Sequence, residues 1–295
     1  MQNQESTFTV VPWEEVTLSN NYMFNKVMTS NPDLCRRFIE HLLHIKIERI
    51  DFATGEFTLE ADAESRGVRL DVFVRDDTGL RAFDLEMQVA NKRNLPERAR
   101  YYQGLMDESD LKPDENYKKL KTSYVLFICL FDPFGFGLPV YTFQNRCDED
   151  PSVLLNDRSY KVFYNVQGWE KVEDREIKAI YRLILENRAS TDFTGEIRTR
   201  MNYARHNVQW RQGYMTLARL RAEDREEARE EGIAIGEERG IAQGERKKAL
   251  ETARNALAMG LTAAQAAQLT GLSADEITRM QQIAAELENR REPEK

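Results

Sequence analysis

The chain has 295 residues, 41% hydrophobic and 31% charged, with a formal net charge of −8. That length allows a large domain plus an appendage, and the acidic balance argues against a general electrostatic grip on nucleic acid while leaving room for a local basic groove. Cys35, Cys129, Cys147 and the three histidines follow no disulfide or zinc pattern, the N-terminus does not read as a signal peptide, and no apolar run is long enough to span a bilayer. A reduced, cytoplasmic setting with no membrane contact is therefore expected.

In chain order, residues 1–18 read as an extended lead-in with Val10, Val11 and Trp13 placed to pack. Ser19 or Asn20 caps a helix carrying Tyr22, Phe24, Val27 and Met28. Asn31 followed by Pro32 starts a second, amphipathic helix. Residues 47–60 alternate like a strand, interrupted at Ala53-Thr54-Gly55. Residues 68–74 and 80–89 predict two strands around the turn Asp76-Asp77-Thr78-Gly79, where Asp bonds its own backbone and Gly accepts a positive φ. Pro96 opens another helix. The unbroken apolar run at 124–131 has strand length and predicts a buried central strand. Residues 140–145 and 160–166 predict further strands, and 170–187 a helix. The order implies an α/β fold with a mixed sheet.

Strand signals vanish after Thr191. Residues 196–231 predict one long helix dense in Arg and Glu. Glycines at 232, 236, 240 and 244 then drift slowly along one side of a helix, a spacing that lets a second helix approach closely, with a flexible hinge as the alternative. Residues 265–280 have a helix-turn-helix rhythm, but Asp275 and Glu276 at the start of the second helix repel phosphate. Three regions follow: a domain at 1–190, a connecting helix at 191–231, and a helical association region at 232–295 that joins identical subunits.

Side chains alternate along a strand. Asp84, Glu86 and Gln88 therefore share one face, opposite Phe83, Leu85 and Met87. An antiparallel pairing of the two strands can place Asp71 beside Glu86, an unfavourable arrangement of like charges unless a positive group lies between them. A divalent cation with hard oxygen ligands suits that place. The plainer alternative is a pair of edge-strand charges that discourage aggregation.

Asp71, Glu86 and Gln88 in this setting resemble the PD-(D/E)XK nuclease superfamily, in which an Asp on one strand is followed by Glu-X-Lys on the next; here Gln88 replaces the lysine. The ordered set Asn20-Asn-Tyr-Met-Phe-Asn-Lys26, Leu70-Asp-Val72, Asp84-Leu-Glu-Met-Gln88 and Arg98-Ala-Arg-Tyr-Tyr102 resembles more closely the Rpn recombination-promoting nucleases, PD-(D/E)XK family transposases. The resemblance implies a restriction-endonuclease-like mixed sheet flanked by helices with an all-helical C-terminal tail. It implies a DNA endonuclease dependent on Mg²⁺ or Mn²⁺, linked to recombination or to defence against foreign DNA. Asp71, Glu86 and the backbone carbonyl of Met87 would hold the metal, and Gln88 would orient the attacking water. Lys26 and Arg98 would contact phosphate, and Tyr101 and Tyr102 would pack against nucleic acid. Asn21 stands where the family usually has Asp, offering one neutral carbonyl oxygen. A catalytically degenerate nuclease fold acting as a DNA- or protein-binding assembly module is the alternative.

Overall fold

The computed structural model describes residues 11–59, 68–76, 78–273, 275–280 and 282, with backbone alone for 51–59 and 68–70. One mixed sheet organises the chain up to residue 165. Its strands are β1 (Ile50–Leu59), β2 (Val68–Asp76), β3 (Arg81–Gln88), β4 (Thr122–Cys129), β5 (Val140–Phe143) and β6 (Ser159–Asn165), in the spatial order β1-β2-β3-β4-β6-β5. β3, β4 and β6 run parallel, and the other pairings are antiparallel. The run expected to be a central strand is β4, paired on both sides and almost wholly buried, as continuous apolar sequence requires.

Helices α1 (Asn21–Thr29), α2 (Pro32–Leu43), α4 (Arg175–Glu186) and α5 (Asp192–His206) cover one face of the sheet, where Val72, Val74, Phe83, Leu85, Met87, Leu126 and Ile128 point. Helix α3 (Leu95–Asp110) covers the other, over Phe73, Ala82, Val125 and Phe127. The period-two alternation of β2 and β3 thus divides the core into two layers. Cys35 and Cys129 are small buried members of those layers.

Three expectations change. Strand β1 runs through Ala53-Thr54-Gly55 without a break; its one irregularity lies between Ile50 and Phe52. Asn31, expected as a cap before Pro32, holds the N-cap position of α2 without a capping side-chain bond; its amide donates to the Val27 carbonyl instead. The expected helix over 196–231 is two helices, α5 and α6 (Val208–Ala258), parted at Asn207. The Asn207 side chain accepts from the Trp210 amide (3.1 Å) and starts α6. Helix α5 buries Phe193, Ile197, Met201 and Ala204, so it belongs to the sheet domain's packing.

The chain divides into two compact units, Met1–Ala218 and Arg219–Lys295. In the second, α6 ends before Gly260, α7 (Ala263–Thr270) follows, and residues 275–280 are again helical. Gly260 and Gly271 make these breaks with φ of +87° and +71°, a region L side chains seldom enter. Ala253, Ala256, Ala266 and Ile277 form the small core of that unit. On α6 the glycines at 232, 236, 240 and 244 face open space among the described residues. No described helix is long and apolar enough to cross a membrane.

Candidate active site

Asn20 fixes the entry of α1, its side-chain oxygen accepting from the amides of Tyr22 (3.0 Å) and Met23 (3.3 Å). Asn21 and Asn25, four residues apart, project from one side of α1. The Asn21 amide nitrogen donates to Asp71 Oδ2 (3.1 Å) and to the Met87 carbonyl (3.0 Å). Asn25 donates to the Asp71 backbone carbonyl. α1 therefore holds the start of β2 against the end of β3.

The β2–β3 pairing runs from Arg75 opposite Ala82 to Val72 opposite Leu85. One step further, each strand's acid serves the other strand's backbone: the Asp71 amide donates to Glu86 Oε1 (3.0 Å), and the Met87 amide donates to Asp71 Oδ2 (3.2 Å). The two acids are brought together as the register expectation requires.

Glu86 is 2% exposed, and its other oxygen accepts from Arg98 Nη2 (3.1 Å) and Gln88 Nε2 (3.3 Å). Gln88 Oε1 accepts from Arg98 Nη1 (2.8 Å), so guanidinium, amide and carboxylate form a closed ring of hydrogen bonds. Asp84 lies on the same face, fully buried, and neither of its carboxylate oxygens has a hydrogen-bond partner among the described residues. Burial pushes both Asp84 and Glu86 well above the usual carboxylate range; the Asp71 charge adds to this, and Arg98 opposes it. Three acids thus crowd around one guanidinium.

The structure therefore gathers Asn21, Asp71, Glu86, Met87, Gln88 and Arg98. Of the remaining expected residues it brings in Tyr102, as a hydrogen-bond partner of Arg98. Lys26 turns its ammonium over the Tyr22 ring, 5.2 Å from the centroid. Tyr101 is 40% exposed on α3. Tyr102, expected to pack against nucleic acid, is instead buried: its ring stacks on Phe127 and its oxygen accepts from Arg98 Nη2 (2.8 Å). Burial, then the Glu86 charge, pushes its hydroxyl up to about 12. Arg98, expected on phosphate, spends its donors inward and lies over the Tyr102 and Phe127 rings. A guanidinium paired with Glu86 and lying over two aromatic faces is more strongly held inside than on a solvated surface. Asn25 and Asp84 join the site although neither is expected to have a role in it, Asp84 being placed by the sequence only on the face of Glu86 and Gln88. Helical spacing from Asn21 signals the first, and strand alternation from Glu86 signals the second.

Among the described residues no group of three or more His, Cys, Asp or Glu side chains is gathered to hold a metal ion. The donors expected for one are two carboxylates and a carbonyl, all hard oxygens suited to Mg²⁺ or Mn²⁺. The Asn21 amide already directs its positive hydrogens at Asp71 Oδ2 and the Met87 oxygen together. The unpartnered oxygens of Asp84 add an unmet demand for positive charge nearby. The residues present fit a divalent cation.

No curated protein matches the chain. No solved structure matches it either. One family model does, over residues 18–166, a span running from the residues before α1 to the end of β6 and enclosing every site residue described above. On that match, the chain belongs to the PD-(D/E)XK nuclease family transposases.

Proposed function

We propose that the protein is a divalent-metal-dependent endonuclease that hydrolyses phosphodiester bonds of DNA, acting in recombination or in defence against foreign DNA. The carrying observation is the reciprocal pairing of Asp71 and Glu86 across β2 and β3, with the Met87 carbonyl beside them. Asp71, Glu86 and the Met87 carbonyl would hold Mg²⁺ or Mn²⁺. Such a cation neutralises charge on a phosphate and lowers the pKa of a water.

The chain's own residues complete the arrangement. Asn21 and Asn25 fix Asp71 from α1. Arg98 supplies a permanent positive charge next to Glu86, which Gln88 cannot supply in place of lysine. The Gln88 amide, already oriented by Arg98, presents an oxygen able to accept a proton-bearing donor such as an attacking water.

The test is nicking of supercoiled plasmid with Mg²⁺ or Mn²⁺. Asp71→Ala and Glu86→Ala should each lose about a hundredfold or more of the rate; equal nicking by parent and variants would discard the nuclease reading. A second reading has its own observation: Glu86 is already satisfied by Arg98 and Gln88, as in a fold kept for binding rather than catalysis. Metal-independent DNA or protein binding, with no heat on titrating Mg²⁺, favours that assembly module.

A further inference from the structure

We infer that the two loops leaving the carboxyl ends of β3 and β4 form the surface that grips the nucleic acid, with Phe136 contacting a base and Lys92 and Arg93 contacting phosphate. This rests on the nuclease reading for its choice of partner.

The loops emerge side by side. Gln88 ends β3 opposite Cys129 at the end of β4, and the Leu130 amide donates to the Gln88 carbonyl (2.9 Å). Chain leaving that point on β3 passes directly from Glu86 and Gln88 into residues 89–94, all exposed. Ligands of parallel sheets gather where strands end, because only loops there can vary in shape without disturbing the ladder.

The β4 loop is built rather than loose. Asp132 accepts from the amides of Phe134 (3.2 Å), Gly135 (3.0 Å) and Gly137 (2.6 Å) and from the Tyr141 hydroxyl (2.7 Å). Gly135 and Gly137 take φ of +78° and +65°, and the Lys171 ammonium donates to the Gly137 carbonyl (2.8 Å). Two phenylalanines in this loop have opposite fates. Phe134 is packed among Tyr141, Phe143 and Phe163, while Phe136, two residues on, is 80% exposed. The loop's hydrogen bonds hold Phe136 outward at little further entropic cost on binding.

A single exposed aromatic means little by itself. Its surroundings decide the partner. Val89 and Leu138 are also about half exposed at this end of the sheet (57% and 50%). Lys92 and Arg93 form no ion pair among the described residues, whereas Asp132, the acid of these loops, is occupied by its four hydrogen bonds. Glu97 and Arg100 stand three residues apart in the first turns of α3 and contribute no net charge as a pair. A chain with net charge −8 therefore carries an exposed aromatic ring on one loop and two cations on the loop that leaves the neighbouring strand end, the strand that bears Glu86. Cations track a phosphate backbone and an aromatic face takes a base, the combination that binds nucleic acid without sequence preference. Another protein surface gives no reason for the cations.

The test uses full-length protein, a short fluorescein-labelled DNA and EDTA, with anisotropy followed over a range of salt. Phe136→Ala should weaken binding about tenfold, Phe136→Trp should restore it, and neither should shift the melting temperature. Lys92→Ser with Arg93→Ser should lower the slope of log affinity on log salt by about 1 to 2. A 2-aminopurine in the DNA should change its fluorescence with the parent and not with Phe136→Ala. Parent-like affinity and slope in all variants, or a parent that fails to bind DNA, overturns the assignment. Because no cleavage is involved, Asp71→Ala in the plasmid assay decides the nuclease reading separately.

Discussion

A carboxylate buried without a hydrogen-bond partner opposes folding unless it keeps its proton, and Asp84 is such a group. Burial, reinforced by Asp71, raises its pKa, so the native state holds a proton over a pH range in which the unfolded chain has lost it. Stability then falls as pH rises from the ordinary carboxylate range, about 4, toward the raised value. Asp84→Asn imitates the protonated form. It should leave stability nearly unchanged at pH 4 and raise the melting temperature progressively toward pH 8; a gain independent of pH would show that Asp84 is not held protonated. The parent should recover part of that stability when Mg²⁺ is added, because a cation bound only by the native state draws the equilibrium toward it. At this scale much of the site was legible. Alternation alone put Asp84, Glu86 and Gln88 together, and antiparallel pairing allowed Asp71 to lie beside Glu86, a register that the structure bears out. The destinations of Arg98 and Tyr102 were not legible, because they depend on how far α3 lies from β3.

Helix α1 links sequence to site most directly. Its cap, Asn20, aligns the turn from which Asn21 and Asn25 reach Asp71. Asn20→Ala should cost about 1 kcal/mol, read by urea denaturation. An unchanged midpoint would mean that tertiary packing of Phe24 and Val27 alone fixes the helix. The elements whose signals are local were read well: the Asp76 turn, whose side chain accepts from the Leu80 and Arg81 amides (3.1 Å each), and the apolar run of β4. The break at Asn207 was missed although asparagine is a helix-capping residue, because the Arg- and Glu-rich sequence on both sides favours helix equally. The continuity of β1 through Thr54 and Gly55 was missed because its pairing with β2 supports residues that local propensity disfavours.

At the level of the whole molecule, residues 219–295 form a compact unit whose buried core, among the described residues, is three alanines and Ile277. Ile233, Ile235 and Ile241 on α6 remain well exposed near its glycines. We propose that this unit joins identical chains. Light scattering on a chain ending at Ala218 should show a smaller oligomer than the full chain, and an unchanged mass per particle would refute the role. The sequence by itself determined the alternating faces of β2 and β3, the capped start of α1 and the central position of β4. Each follows from the geometry of a few neighbouring residues, which is why each is written locally. Only the tertiary structure decided that Arg98 closes on Glu86 and Gln88, that Tyr102 is interior, and that Phe136 stands outward while Phe134 does not. Those outcomes depend on how separate elements pack on one another, consecutive ones such as β3 and α3 included, and no local pattern of side chains records that.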